Sequence, residues 1–142
     1  MRALGVDLGL RRIGLAVSDP TGTLATPLDT LERRAGKRVP LSKLEILARG
    51  LEVEHVVFGL PLDPRGEETE WSAEVRDVGR RLGERLGVDV SFVDERFTSQ
   101  RAERAVRSAG LSKTKREEKG RVDAAAAQLI LQAWLDRPGV AR

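Results

Sequence analysis

The sequence predicts an α/β fold: a mixed five-stranded sheet whose first three strands are antiparallel and whose two faces are covered by helices. Two observations lead to this prediction. Three strand-like segments come first and are separated only by short turns, so neighbouring strands must run antiparallel. The later strand-like segments alternate with helical segments, and such crossovers make strands parallel and place helices over a sheet. The 142 residues suit a single domain spanning residues 1–142.

The three antiparallel strands are predicted at residues 3–8, 12–18 and 23–31. The first two are apolar runs joined by residues 9–11, a link short enough for a hairpin. The third contains Pro27, which has no N–H to donate to a neighbouring strand, so we expect that strand at an edge of the sheet.

The remaining elements are four helices, at about residues 40–52, 67–86, 98–108 and 122–135, and two strands, at about residues 55–59 and 88–93. Gly87 is suited to end the second helix. The last helix is apolar on most sides, which indicates burial. Before it, residues 112–120 are polar and basic, and we interpret this stretch as a mobile loop that grips phosphate.

The composition excludes several kinds of site. Without cysteine there can be no disulfide, no thiolate zinc site and no thiol nucleophile, and a single histidine argues against histidine-rich metal sites and histidine relays. The net charge is +3, and arginine dominates the basic residues, which permits nucleic-acid binding without proving it. No apolar stretch approaches the roughly 20 residues that span a bilayer. We therefore expect a cytoplasmic protein with no membrane partner.

Three acidic positions are candidates for chemistry. Asp7 lies within an apolar strand, where a carboxylate is costly unless it is paired, hydrogen-bonded or bound to metal; an Asx hydrogen bond in the turn is the alternative. Asp94 and Glu95 follow another strand, at the end where open α/β sheets bind ligands. Because side chains alternate, only one of these two can face the site. Asp123 opens the last helix, where an acid also suits the helix dipole.

Together these acids support a sharper hypothesis. If the last helix packs over the first and fifth strands, then Asp7, Glu95 and Asp123 can meet. Three carboxylates with no histidine or cysteine beside them are hard oxygen ligands, which fit Mg²⁺ or Mn²⁺ better than zinc. Two such ions can activate water and stabilise the leaving oxygen in phosphodiester hydrolysis, so no histidine base is needed.

The same residues and their neighbours resemble the YqgF family, the bacterial RNase H-fold relatives of Holliday junction resolvases. The matching stretches are Val6-Asp7-Leu8-Gly9, Arg12-Ile13-Gly14-Leu15-Ala16, Phe58-Gly59-Leu60-Pro61-Leu62, Asp94-Glu95-Arg96-Phe97-Thr98-Ser99 and Lys119-Gly120-Arg121-Val122-Asp123-Ala124-Ala125-Ala126. Each stretch alone is weak, but their combination, in this order and over nearly the whole chain, is specific.

The resemblance implies an RNase H-like fold and a metal-dependent nuclease that trims the 5′ end of precursor 16S ribosomal RNA during ribosome biogenesis. It also implies that Asp7, Glu95 and Asp123 are the catalytic acids and the ligands of Mg²⁺ or Mn²⁺. Two alternatives remain open. One is a Holliday junction resolvase acting in DNA recombination and repair, and the other is a non-catalytic module that binds RNA or the ribosome.

Basic residues near the acids are candidates for holding phosphate oxygens: Arg11, Arg12, Arg96, Lys113, Lys115, Arg116, Lys119 and Arg121. Arg96 could instead neutralise Asp94, and the basic stretch could be a solvated linker, because Glu117 and Glu118 dilute its charge. Aromatic side chains for base stacking are scarce, which favours recognition of the nucleic-acid backbone. We expect RNA as the partner, with branched DNA possible, and a monomer or weak homodimer.

Overall fold

The computed structural model describes residues 1–33, 38–95 and 115–138, with residues 115–121 described by their backbone alone. It contains five strands, β1 (Ala3–Leu8), β2 (Arg12–Ser18), β3 (Ala25–Glu32), β4 (His55–Leu60) and β5 (Asp89–Asp94). Three helices accompany them, α1 (Leu41–Gly50), α2 (Glu70–Leu86) and α3 (Lys115–Asp136). The helix predicted at residues 98–108 lies outside the described residues.

The strands form one sheet in the order β3-β2-β1-β4-β5. The β1–β2 and β2–β3 pairs are antiparallel, whereas β1–β4 and β4–β5 are parallel. The predicted mixed sheet is therefore confirmed, including the edge position of the strand that contains Pro27. Because β1, β4 and β5 are parallel neighbours, their carboxyl ends meet at one edge of the sheet.

Helices cover both faces of the sheet, and each face has its own apolar core. On one face, Leu4 and Val6 of β1 join Leu44 of α1 and Val75 of α2 in the larger core. On the other face, the small residues of the strands pack against α3 in a second core, made of Ala3, Ala16, Ala25, Val57, Ala127, Ile130, Leu131, Trp134 and Leu135. Adjacent residues of one strand therefore serve opposite cores, as the period of two requires.

Helix α2 begins three residues later than the sequence predicts. Its N-terminus is closed by a capping box, in which Thr69 and Ser72 each accept a hydrogen bond from the backbone N–H of the other. Glu68 is held extended by an isolated bridge to Leu62, so the helix cannot extend further back. The helix ends, as predicted, at Gly87, which adopts the left-handed conformation with φ +68°.

Helix α3 corrects the interpretation of the basic stretch before it. We expected a mobile loop up to residue 120, but the backbone is helical from Lys115 onward. The first turns of this helix contain no apolar side chain until Val122, so no amphipathic period marks them in the sequence. Lysine, arginine and glutamate are good helix formers, and they extend the helix that the buried residues establish.

Two glutamines of α3 fix this helix against the edge strand β3. Gln132 accepts a hydrogen bond from the Ala25 N–H at 2.9 Å and donates one to the Thr23 carbonyl at 2.9 Å. Gln128 donates to the Ala25 carbonyl at 3.1 Å. These bonds set the position of α3 along the sheet and hence the position of its N-terminal half. Among the described helices, none is long and apolar enough to cross a membrane.

Candidate active site

The structure brings Asp7 and Glu95 together at the carboxyl edge of the sheet. Asp7 is the next-to-last residue of β1, and Glu95 directly follows β5, with β4 between the two strands. Val6 and Leu8 point into the larger core, so the alternation of the strand directs Asp7 to the α3 face. Of the adjacent acids Asp94 and Glu95, it is Glu95 that shares a hydrogen bond with Asp7.

The Asp7–Glu95 pair holds a proton that two separate carboxylates would have released. Burial of Asp7 is the largest cause, and the hydrogen bond and negative charge of Glu95 add to it; together they raise the pKa of Asp7 to about 9. At neutral pH the metal-free pair therefore shares one proton between two carboxyl groups. A divalent cation can take the place of that proton, since it relieves the same repulsion.

Gly59 on the central strand β4 leaves room for this pair. A Cβ atom at this position would lie 3.6 Å from Cδ of Glu95 and 2.5 Å from Cδ1 of Ile130 on α3. A larger residue would therefore push against the Ile130 side chain of α3 and would lie in ordinary contact with the Glu95 carboxyl group. The need for space next to α3 explains why the Phe58-Gly59-Leu60 segment carries glycine in the middle.

Asp123, the third predicted acid, lies beside the pair on α3 and is joined to Arg12. Nε of Arg12 donates to Oδ2 of Asp123 at 3.2 Å, with the two side chains 17% and 29% exposed. Gly14 faces Asp7 in the β1–β2 ladder, and a Cβ atom on Gly14 would collide with the backbone carbonyl of Asp123. Helix α3 therefore approaches the sheet at the level of Asp7.

The three acids do not form the single cluster that the sequence predicts. Within the part of the chain that the structure describes, no three histidine, aspartate or glutamate side chains lie close enough together to hold a metal ion. Asp7 and Glu95 form one unit, and the ion pair with Arg12 engages the carboxylate of Asp123. The metal-free site is thus a carboxyl pair with an ion pair next to it.

The predicted basic residues fall into three groups. Arg11 is exposed in the turn between β1 and β2, and Arg12 begins β2. Arg96 and Lys113 lie outside the described residues. The others lie on the first turns of α3, where the backbone alone is described: Lys115, Arg116, Lys119 and Arg121.

Sequence reasoning missed Arg33, which supports the turn beside the site. Its backbone N–H donates to the Arg11 carbonyl at 2.8 Å, and its guanidinium Nη1 donates to the Gly9 carbonyl at 3.1 Å. Arg33 directly follows β3, whose residue Glu32 pairs with Arg12. The pairing register of the second and third strands is the signal that could have placed Arg33 opposite the turn.

The donor set of the pair fits a divalent metal ion. Asp7 and Glu95 offer carboxylate oxygens, and Mg²⁺ is commonly held in proteins by one or two carboxylates together with water and substrate phosphate. No thiol is present in the chain, and His55 lies at the start of β4, at the other end of the sheet. The site therefore suits Mg²⁺ or Mn²⁺ rather than a softer metal.

The sheet order, together with acids at the ends of β1 and β5, defines the RNase H-like class of fold. Solved structures agree. The chain matches RuvC of Thermus thermophilus in complex with a Holliday junction substrate with a TM-score of 0.60 and 20% sequence identity, covering 100% of this chain and 99% of RuvC. A second structure of Thermus thermophilus RuvC matches with the same TM-score of 0.60 and 18% identity. At this level of identity the likeness establishes the fold.

The family is established by the sequence comparisons. The family model described as "RuvX: Holliday junction resolvase" matches residues 1–137, and the chain belongs to this family. A protein of Anaeromyxobacter sp. strain K is 47% identical over 137 residues, covering 96% of this chain and 98% of its own length. One of Mycobacteroides abscessus is 42% identical, covering 96% and 81%. Both are named as candidate pre-16S rRNA nucleases, and the resemblance to the YqgF family is confirmed.

Proposed function

We propose that this chain is a metal-dependent nuclease that hydrolyses phosphodiester bonds at the 5′ end of precursor 16S ribosomal RNA. The observation that carries the proposal is the proton-sharing pair Asp7–Glu95 at the carboxyl edge of the sheet, in a chain of a nuclease family. The names of relatives that match nearly the whole chain support ribosomal RNA as the substrate.

In this proposal Asp7 and Glu95 would hold Mg²⁺ or Mn²⁺ in place of the proton that they share. Such an ion, when bound, activates water and stabilises the leaving oxygen. Asp123 would be the further ligand and would bring the site to the two-metal type, and Arg12, which pairs with Asp123, would be placed to contact a substrate phosphate. Arg12 thereby keeps the charge of Asp123 balanced until substrate arrives.

The basic residues bind the RNA backbone in the same proposal. Arg11 is exposed next to the site and is suited to hold a phosphate oxygen. Arg96, Lys113 and the basic residues at the start of α3 extend the contact along the chain of phosphates, an assignment that rests on the sequence. Backbone contacts of this kind predict affinity that falls steeply with salt.

Cleavage of a Holliday junction is the second candidate function. The description of the matching family favours it. A resolvase must cut two strands symmetrically, which calls for a twofold dimer. The two functions therefore differ in substrate and in the oligomeric state that activity requires.

One experiment tests both functions. The protein is incubated with RNA containing the 5′ flank of 16S rRNA and, separately, with a four-way DNA junction, in Mg²⁺, Mn²⁺ or EDTA. Asp7→Asn and Glu95→Gln remove the charge of each member of the pair with little change of shape. Asp29→Asn is the matched control, because Asp29 is exposed on the edge strand β3.

We expect metal-dependent RNA cleavage that Asp7→Asn and Glu95→Gln reduce by at least about 100-fold, a typical loss for a group that acts in the transition state. Asp29→Asn should cleave like the wild type. Cleavage of the junction alone would assign the chain to DNA recombination. Binding of RNA with no cleavage of either substrate would instead make it a non-catalytic binding module.

A further inference from the structure

The tip of the hairpin between β1 and β2 presents an apolar side chain to solvent next to the candidate active site. Leu10 is 67% exposed. Two other large apolar side chains of the described residues are as exposed, Leu24 at 61% and Ile46 at 72%. Leu24 precedes β3 at the opposite end of the sheet, and Ile46 lies on α1, so only Leu10 of these three lies near Asp7.

The backbone around Leu10 is held in place. The Gly9 N–H donates to the Arg12 carbonyl at 3.0 Å and closes the turn. Arg33 binds the carbonyls on both sides of Leu10, at Gly9 and at Arg11. A Cβ atom on Gly9 would lie 2.5 Å from the Arg12 carbonyl oxygen, so this turn requires glycine. Leu10 therefore lies on a turn whose backbone is fixed by hydrogen bonds on both sides of it.

The residues around Leu10 are of the types that contact the base and the phosphate of a nucleotide. Leu10 follows Asp7 by three residues, a span of at most about 10 Å, which corresponds to about two or three stacked nucleotides. The exposed Arg11 stands directly beside it. An apolar surface flanked by a cation can contact the face of a base and its phosphate at once.

Within the described residues, no aromatic side chain offers a stacking surface next to the site, and Phe97 lies outside those residues. There is no tyrosine, Trp134 is 3% exposed within the α3 core, and Trp71 packs against the larger core. Phe58 is fully buried, and Phe92 packs on the same core. Among the described residues near the site, Leu10 is the large apolar side chain that a base can reach.

We propose that Leu10 packs against the face of an unpaired base of the RNA, within about three nucleotides of the bond to be cut, and thereby favours unpaired over fully paired substrate. This inference rests on the proposed function and adds a specificity-determining residue to it. Leucine is among the apolar side chains that proteins insert against bases. Fully paired RNA has its bases stacked within the helix and offers no such face.

The test uses single-stranded RNA of the 5′ flank of 16S rRNA with 2-aminopurine placed at one position after another. Binding is measured in EDTA, so that cleavage does not interfere. For the wild type we expect a rise in fluorescence at one or two adjacent positions, because the base leaves its stacked neighbours. Leu10→Ser should abolish the rise and weaken binding by about three- to tenfold. Leu24→Ser is the matched control and should change neither.

Further variants distinguish the contact between Leu10 and the base from electrostatic contacts with phosphate. Leu10→Met should retain wild-type binding, and Leu10→Ser should leave the dependence of affinity on salt unchanged. Arg11→Gln should instead lower the slope of log affinity against log salt by about one phosphate contact. Binding of a fully paired RNA should be the same for Leu10→Ser and the wild type.

Wild-type binding and fluorescence in Leu10→Ser, or an equal loss in Leu24→Ser, would overturn the inference. If the wild type cleaves RNA while Leu10→Ser behaves normally, only the inference fails and the proposed function stands. If the wild type binds no RNA at all, both fail. Because Leu10 is exposed, the variant is expected to fold, and its melting temperature confirms this.

Discussion

At the scale of single residues, Asp7 and Asp123 are each neutralised within the protein. Asp7 keeps a proton that it shares with Glu95, and Asp123 pairs with the guanidinium of Arg12. In the proposed function, metal would compete with the proton at Asp7, and substrate would compete with Asp123 for Arg12.

The proton on Asp7 predicts an unusual effect of pH on stability in EDTA. Between about pH 4 and the folded-state pKa of about 9, the folded protein keeps the proton of Asp7 whereas the unfolded chain has released it. Unfolding therefore releases a proton in this range, and the contribution of Asp7 to stability falls as the pH rises. Above the folded-state pKa no further loss occurs.

Asp7→Asn removes this titration. In EDTA at pH 8 we expect the variant to be more stable than the wild type by an amount on the order of several kcal/mol, at about 1.4 kcal/mol per pH unit above the unfolded-state pKa, with the difference shrinking towards pH 4. Urea denaturation at several pH values measures it, with Asp29→Asn as the control. Mg²⁺ should stabilise the wild type and not Asp7→Asn. A variant less stable than the wild type at pH 8 would contradict the shared proton.

The ion pair between Arg12 and Asp123 predicts a measurable coupling. In a double-mutant cycle of Arg12→Gln and Asp123→Asn, we expect a coupling free energy of about 0.5–1 kcal/mol, since the pair is only partly buried. The measurement is urea denaturation in EDTA. The surface pair of Arg80 and Glu84 serves as comparison and should couple more weakly. Additivity of the Arg12 and Asp123 variants would mean that the contact contributes nothing to stability.

The acids of the site and the meeting of Asp7 with Glu95 were predictable, but the ion pair of Arg12 with Asp123 was not. An acid within an apolar strand and an acid after a parallel strand are visible in the sequence, and the structure brings Asp7 and Glu95 together. Whether the side chain of Asp94 or that of Glu95 points towards Asp7 depends on the register of β5, and the sequence does not determine that register. The partnership of Arg12 with Asp123 depends on how α3 lies across the sheet.

At the scale of elements, the site depends on how closely α3 approaches β2. Gly14 provides that approach, because even a methyl group there would meet the carbonyl of Asp123. Gln128 and Gln132 fix the same helix further along at β3. The helix is thus positioned at two points, by a small residue near the site and by hydrogen bonds away from it.

Gly14→Ala is expected to displace the start of α3. The added methyl group should destabilise the protein by about 1–3 kcal/mol and lower RNA cleavage, since Asp123 moves with the helix. Gly50→Ala is the matched control: nothing lies within 4 Å of a Cβ atom there, and Gly50 ends helix α1. That variant should be as stable as the wild type or slightly more so. Thermal denaturation and the RNA assay give the two readouts.

The bounds of elements that have a continuous or periodic apolar pattern were predicted closely. The bounds of elements that begin with charged or polar residues were not. The bounds of β1 and β2 agree with the sequence prediction, because both are continuous apolar runs. The first turns of α3 are charged throughout and give no period to detect. The start of α2 depends on a capping box closed by serine, which is less conspicuous than the usual glutamate at that position.

At the scale of the whole molecule, the two cores are joined through the strands they share. In β4, Val56 belongs to the core under α1 and α2, and its neighbour Val57 belongs to the core under α3. Neither core can lose its strands without exposing the other. We therefore expect the domain to unfold in one cooperative step.

The two tryptophans allow a test, because they lie on opposite faces of the sheet. Trp71 packs against the larger core, and Trp134 lies in the α3 core, stacked on the His55 ring at 4.4 Å between centroids. In Trp71→Phe and Trp134→Phe, the remaining tryptophan reports on one face. Within each variant, urea midpoints from fluorescence and from far-ultraviolet circular dichroism should coincide. Separate midpoints would show that one face unfolds alone.

The distance along the chain between the site residues has a consequence during protein synthesis. Asp7 is made before Glu95, and Asp123 is made later still, as part of α3. A nascent polypeptide can pair β1 with β2 early, but it has no complete set of acids until α3 is translated and docks. With the site proposed above, we therefore expect the nascent chain to be inactive until α3 has docked.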